Sequence, residues 1–285
     1  MTDIINFYET EAVKKYLPDK NDPQKEFTGM NIDTRILLCG SSGSGKSNAL
    51  LNYILLTSQP KDGTFKHIFL ISKVKEPLYE TLEEKLKDKI SIFRTLAELP
   101  SVQDFKDRNK DKPEHYLVIL DDCVTDKDKL SKKKIDDYYA FSRKKGITTI
   151  YLSQSYFQTP KFCRDNCEYI ILVSIKSVRD LNRIINEYSL PNIELEQIQK
   201  MFNYATSNKL NFLKITTGSC PVNEKFSRNY LDYLDPNKFK SSKSGGKIKN
   251  ENETSSSDSE SSSDKPVYKV GKYKTYFKNL KKLID

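Results

Sequence analysis

An apolar run, Ile36-Leu37-Leu38-Cys39, leads directly into Gly40-Ser41-Ser42-Gly43-Ser44-Gly45-Lys46-Ser47, and that stretch opens a second apolar segment, Asn48-Ala-Leu-Leu-Asn-Tyr-Ile-Leu-Leu56. Few folds accept a strand, a glycine-rich bend and a helix in immediate succession. The glycines let the backbone curl so that successive N–H groups and the positive end of the helix point into one hollow, which is a cradle for phosphate. In such a loop Lys46 reaches the β- and γ-phosphates and the Ser47 hydroxyl ligates Mg²⁺. Residues Gly40 to Ser47 are therefore expected to bind a nucleoside triphosphate. The segment Asn208-Lys209-Leu210-Asn211 lacks the final Asp of a guanine-reading motif, so ATP is the expected nucleotide.

A phosphate loop needs an acidic strand end to hold the metal. Tyr116-Leu-Val-Ile-Leu-Asp121-Asp122 supplies one, with Asp121 expected in the Mg²⁺ shell and Asp122 expected to polarise the attacking water. A further strand, Thr148-Thr-Ile-Tyr-Leu-Ser153, ends in Gln154. Placed between the other two strands, it would aim Gln154 at the γ-phosphate or the water as a sensor.

Six short apolar runs, at 35–39, 67–72, 116–121, 148–153, 169–175 and 211–216, alternate with longer mixed segments, helical at 46–56, 134–145 and 177–188. This is the pattern of an α/β fold with a mostly parallel central sheet flanked by helices. Runs such as Leu117-Val118-Ile119-Leu120 suit strands covered on both faces. The 36% hydrophobic content supports a real core, and the domain is read as residues 32–239 after an N-terminal extension, 1–31. Residues 240–265 turn to Ser, Lys, Gly and acids, with an almost purely Ser/Asp/Glu block at 255–264, and read as a disordered linker. Residues 266–285 regain Tyr268, Tyr273, Tyr276, Phe277, Leu280 and Leu283 among lysines, as a basic aromatic segment suited to docking or simply to solvent.

The net charge of +9 favours an acidic partner such as nucleic acid, or reflects lysine-rich solubility alone. Five cysteines without a CxxC pair, and only His67 and His115, point to a reduced intracellular protein without structural zinc. No signal pattern and no membrane-length apolar stretch is present, so the Asn252-Glu253-Thr254 sequon is expected to stay unmodified.

The block Ser142-Arg143-Lys-Lys-Gly146-Ile-Thr-Thr-Ile-Tyr-Leu-Ser-Gln154-Ser-Tyr156-Phe157-Gln-Thr-Pro160, followed by Arg164-Asp165-Asn166 and Tyr169-Ile-Ile-Leu, carries a resemblance beyond the generic motifs. From about Ile32 to Leu234 the chain resembles the FtsK-HerA superfamily of DNA-pumping ATPases, in particular the poxvirus-type genome-packaging ATPases of large DNA viruses and virophages. That resemblance implies a RecA-like fold with an additional strand. It also implies a homo-oligomeric ring, a hexamer, that threads double-stranded DNA into a preformed viral capsid at the cost of ATP. Arg143 and Arg164 stand where related pumps carry arginines that act on a neighbour's nucleotide. Lys127, Lys129, Lys132, Lys133 and Lys134 become candidate DNA contacts in the ring pore. The chain departs from the superfamily in reading Asp121-Asp122 where many members read Asp-Glu. Two other readings stand beside the motor: a small P-loop kinase or other nucleotide-metabolising enzyme, and a non-catalytic DNA-binding or scaffold protein that keeps nucleotide as a structural ligand.

Overall fold

In the computed structural model, residues 5–14, 22, 24–60, 63–107, 113–123, 128–188 and 193–240 are described. The chain divides into two units, Met1–Ser242 and Lys243–Asp285. The expected linker and basic aromatic segment lie outside the described residues, as does Lys127.

The apolar runs become strands of one sheet: β1 (Arg35–Cys39), β2 (His67–Ser72), β3 (Ile90–Phe93), β4 (Tyr116–Asp121), β5 (Ile147–Ser153), β6 (Tyr169–Leu172), β7 (Leu213–Thr216), β8 (Phe226–Arg228) and β9 (Asp232–Tyr233). Their spatial order is β3-β2-β4-β5-β1-β6-β7-β8-β9. The strands from β3 to β6 run parallel, and β7, β8 and β9 extend the edge antiparallel. The sheet is thus mostly parallel, as the alternating pattern predicts. Sequence periodicity did not reveal β3, β8 and β9, which are four, three and two residues long.

The helices are α1 (Glu11–Lys14), α2 (Lys25–Thr28), α3 (Lys46–Thr57), α4 (Pro77–Leu86), α5 (Lys129–Phe141), α6 (Lys161–Asn166), α7 (Val178–Glu187) and α8 (Leu195–Ala205). The expected helix at 134–145 starts earlier, capped by Asp128, whose carboxylate accepts from the Ser131 amide at 2.9 Å. Its last four expected residues form a 3₁₀ turn, Ser142–Lys145.

Alternate residues of each strand feed two cores, one on each face of the sheet. Ile36, Leu38, Leu117, Ile119, Ile150 and Leu152 pack with Leu50, Tyr53 and Ile54 of α3 and Tyr79 of α4. Leu37, Cys39, Val118, Leu120, Tyr151 and Ile170 pack with apolar residues of α5, α6, α7 and α8. A parallel sheet covered on both sides explains why its central strands read as unbroken apolar runs. Burial of one Leu or Ile side chain stabilises by about 1.5–3 kcal/mol.

Lys214, wholly buried in β7, ties the end of α2 to the antiparallel edge. Its ammonium donates to the carbonyls of Tyr230 at 2.6 Å, Thr28 at 3.2 Å and Gly29 at 3.4 Å. Burial pushes its pKa down to about 7. The folded chain therefore binds fewer protons than the unfolded chain between about pH 7 and the usual lysine range, and stability rises with pH across that window. Chemical denaturation at pH 7 and pH 9 should show this rise in the wild type, and Lys214→Met should flatten it.

Gly146, which joins the 3₁₀ turn to β5, has φ +69°, and a Cβ there would lie 2.5 Å from the Glu114 carbonyl. Gly146→Ala should cost about 2 kcal/mol and lower the melting temperature by about 4–8 °C in a thermal scan.

Candidate functional site

The site forms at the carboxyl edge of the parallel strands. Pairing sets Ser72 beside Asp121, Asp121 beside Leu152, and Cys39 beside Ser153. Because β5 lies between β4 and β1, Gln154 emerges between the acidic strand end and the glycine-rich loop. This is the inserted strand anticipated from sequence.

Residues 40–45 link β1 to α3, and the loop is anchored at its start by the Gly40 amide to Ser153 O at 3.1 Å and the Ser41 amide to Ser174 O at 3.0 Å. Gly43 and Gly45 take φ of +70° and +100°, which glycine adopts at little cost. Among the described residues, no hydrogen bond uses the N–H groups of Gly43, Gly45 or Lys46, and the buried Ser44 hydroxyl has no partner either. A concavity rimmed by unused donors at a helix amino end fits a phosphate chain.

Lys46 folds back across this hollow, its ammonium donating to the Gly40 carbonyl at 2.9 Å and the Ser41 carbonyl at 3.2 Å. Burial holds its pKa below the usual lysine range, against the opposing field of Asp121, Cys39, Asp122 and Glu76. Asp121 is pushed up to about 6, chiefly by burial; the hydrogen bond from Tyr79 and the charge of Lys46 oppose that rise, while Glu76 and Asp122 add to it. The Tyr79 hydroxyl donates to Asp121 Oδ2 at 2.7 Å and also meets the Ser47 side chain. Ser47 and Asp121, the two expected metal ligands, thus share one tyrosine.

The residues fit a divalent cation brought in with its nucleotide. Three carboxylates, Asp121, Asp122 and Glu76, act on the single ammonium of Lys46, an excess of negative charge that a dication would balance. Among the described residues no group of three or more His, Cys, Asp or Glu side chains is arranged to hold a metal alone. A Mg²⁺ held by one carboxylate, one hydroxyl, phosphate oxygens and water needs no such group.

Asp122 takes a left-handed backbone, φ 52°, and is exposed. Gln154 Nε2 reaches its Oδ2 at 3.4 Å, so the two side chains stand together at the rim.

The arginines behave differently. Arg143 precedes β5 and therefore lies at the amino edge of the sheet, opposite the glycine-rich loop, where it pairs with Glu168 at 3.1 Å and stays 60% exposed. It cannot reach the loop of its own chain. Arg164 is 12% exposed and bonds both oxygens of Glu187, at 3.0 and 3.1 Å, with its guanidinium over the Tyr156 ring. Its charge is spent within its own chain. Lys134 is likewise committed, donating to the carbonyls of Leu96, Ala97 and Leu99. Lys129, Lys132 and Lys133 are exposed near the start of α5. Sequence reasoning missed Glu76 and Tyr79, which belong to no motif.

A sequence model of the family described as poxvirus A32 protein matches residues 26–242. No curated protein sequence matches the chain. Among solved structures, the chain is similar to the genome packaging NTPase B204 from Sulfolobus turreted icosahedral virus 2 in complex with ATP-gammaS, with TM-score 0.47, 16% identity, and coverage of 70% of this chain and 98% of that one. It is also similar to EssC (ATPases 2 and 3) from Geobacillus thermodenitrificans, with TM-score 0.44, 14% identity, and coverage of 56% of this chain and 35% of that one. The pCW3 conjugation coupling protein TcpA gives TM-score 0.44 and 14% identity, over 73% of this chain and 64% of the other.

The loop geometry predicts a selective defect. At Gly45 a Cβ would lie 2.7 Å from Leu210 Cδ2, on a backbone at φ +100°. Gly45→Ala should weaken triphosphate binding by about tenfold or more, the equivalent of about 1.4 kcal/mol, in a titration with a fluorescent nucleotide.

Proposed function

Because the chain belongs to the poxvirus A32 protein family, we propose that it is an ATP hydrolase that drives double-stranded DNA into a preformed viral capsid. The observation that carries this reading is the convergence of Lys46, Asp121 and Gln154 at one sheet edge, with Gln154 delivered by a strand inserted between the other two.

In this reading the phosphate chain of ATP lies on the N–H groups of residues 43–47, and Lys46 exchanges its loop carbonyls for β- and γ-phosphate oxygens. Ser47 and Asp121 hold Mg²⁺, which, when bound, offsets charge on the phosphates. Tyr79 fixes the Asp121 carboxylate in place. Gln154 senses the γ-phosphate from the rim and is linked to Asp122. Hydrolysis then moves β5 or its flanking loops, and that movement is passed to DNA.

The subunits work as a ring, a hexamer, and Arg143 is the residue that reaches a neighbour's phosphates. Its exposure at the edge opposite its own loop supports action in trans. Arg164, buried and paired, is the weaker candidate. Lys129, Lys132 and Lys133 contact DNA phosphates without regard to sequence, a salt-sensitive mode suited to translocation. The tail beyond residue 240 attaches the motor to the capsid. No helix among the described residues is long and apolar enough to cross a membrane.

The test is phosphate release by the purified chain with and without duplex DNA. DNA should stimulate turnover, and Lys46→Ala should lower it by about 100-fold or more. Equal turnover with and without DNA would sink the motor reading.

A further inference from the structure

The second carboxylate of the acidic strand end is poorly placed for the role its sequence position suggests. Asp122 is exposed, sits on a left-handed backbone at φ 52° and already faces Gln154. A water held there competes with bulk solvent. A different carboxylate approaches the site from β2, the neighbour of β4.

The loop from Ser72 to Glu76 leaves β2 at the same edge and is braced on several sides. Ser72 Oγ donates to the Val74 carbonyl at 2.8 Å, and Arg94, just beyond β3, donates to the carbonyls of Ser72 at 2.9 Å and Val74 at 3.2 Å. Glu76 then caps α4, with the Tyr79 and Glu80 amides returning to its carbonyl at 2.9 and 3.1 Å. One turn further on, the buried Tyr79 is pinned to Asp121. Both ends of the segment are thus fixed against the site.

The Glu76 side chain makes no cap hydrogen bond to the helix it opens. It is half-buried. Its charge acts on Asp121 more strongly than that of Asp122, the adjacent residue in the chain. It also acts on Lys46 and Tyr79. A carboxylate with no cap bond thus stands on a braced loop at the edge where Ser72 pairs with Asp121, one helical turn before the tyrosine that holds Asp121.

We propose that Glu76, not Asp122, is the catalytic carboxylate that orients and polarises the attacking water. This assignment rests on the ATP hydrolase reading and adds the residue that reading leaves open. The water oxygen forms a bond to the γ-phosphorus while the bond from that phosphorus to the β,γ-bridging oxygen breaks. The bridging oxygen leaves on ADP with the bonding pair. The proton shed by the water passes to the Glu76 carboxylate and from there to solvent.

The experiment measures phosphate release at saturating ATP and, separately, binding of a fluorescent ATP analogue, on the full chain and three variants. Glu76→Gln should lower kcat by about 100-fold or more, as expected for loss of a general base, with analogue affinity within about threefold of wild type, a difference of under 1 kcal/mol. Glu76→Asp should recover part of the lost turnover, which a merely structural residue would not require. Asp122→Asn should cost less than Glu76→Gln. The assignment is overturned if Glu76→Gln keeps wild-type turnover, if Asp122→Asn suffers the larger loss, or if Glu76→Gln loses analogue binding along with turnover. A wild-type chain that binds the analogue and releases no phosphate would instead overturn the hydrolase reading itself.

Discussion

Parallel hydrogen bonding from β2 through β4 and β5 to β1 is the constraint on which the rest of the molecule depends. In a parallel sheet every strand presents its carboxyl end to the same edge. Asp121, Gln154, the glycine-rich loop and the Glu76 loop are spread over more than a hundred residues of sequence, yet each ends or directly follows a strand. Registry places them together without any long-range side-chain recognition. The same rule sends Arg143 and Glu168, which precede β5 and β6, to the opposite edge.

Charge decides how the edge behaves. An ammonium inside a ring of carboxylates is stable in water, but here burial depresses Lys46 and raises Asp121. Burial thus disfavours the charged form of both, and phosphate near Lys46 or a cation near Asp121 would favour it. Tyr79 limits the cost meanwhile by giving Asp121 a hydrogen bond that does not depend on a metal. Elsewhere the protein handles buried charge by local pairing: Lys214 and Lys134 on backbone carbonyls, and Arg164 on Glu187.

Much of this was legible in the sequence, because the features that carried it are local. The glycine pattern needs only its flanking strand and helix, and β1, β2 and β4 match the apolar runs 35–39, 67–72 and 116–121 residue for residue. The remainder depends on tertiary neighbours. β8 and β9 are too short to show a period and exist because β7 offers them an edge. Glu76 and Tyr79 carry no motif, although Pro77 at the first helical position marks where α4 begins. Lys134 looked like its exposed neighbours Lys132 and Lys133, and only the side of α5 that meets residues 96–99 sets it apart. The two arginines likewise differed in nothing the sequence displays.

The closeness of Leu210 to Gly45 links two distant parts of the sequence. Leu210 sits in the segment between α8 and β7, on a left-handed backbone at φ 74°, with one methyl of its side chain in the space that a Cβ on Gly45 would take. A side chain at residue 45 and the present position of Leu210 therefore exclude each other. Leu210 stands three residues before β7, the strand from which the antiparallel edge is built. The residue that requires a bare backbone at position 45 thus belongs to the segment leading into that edge, and a change at either position is felt first at the other.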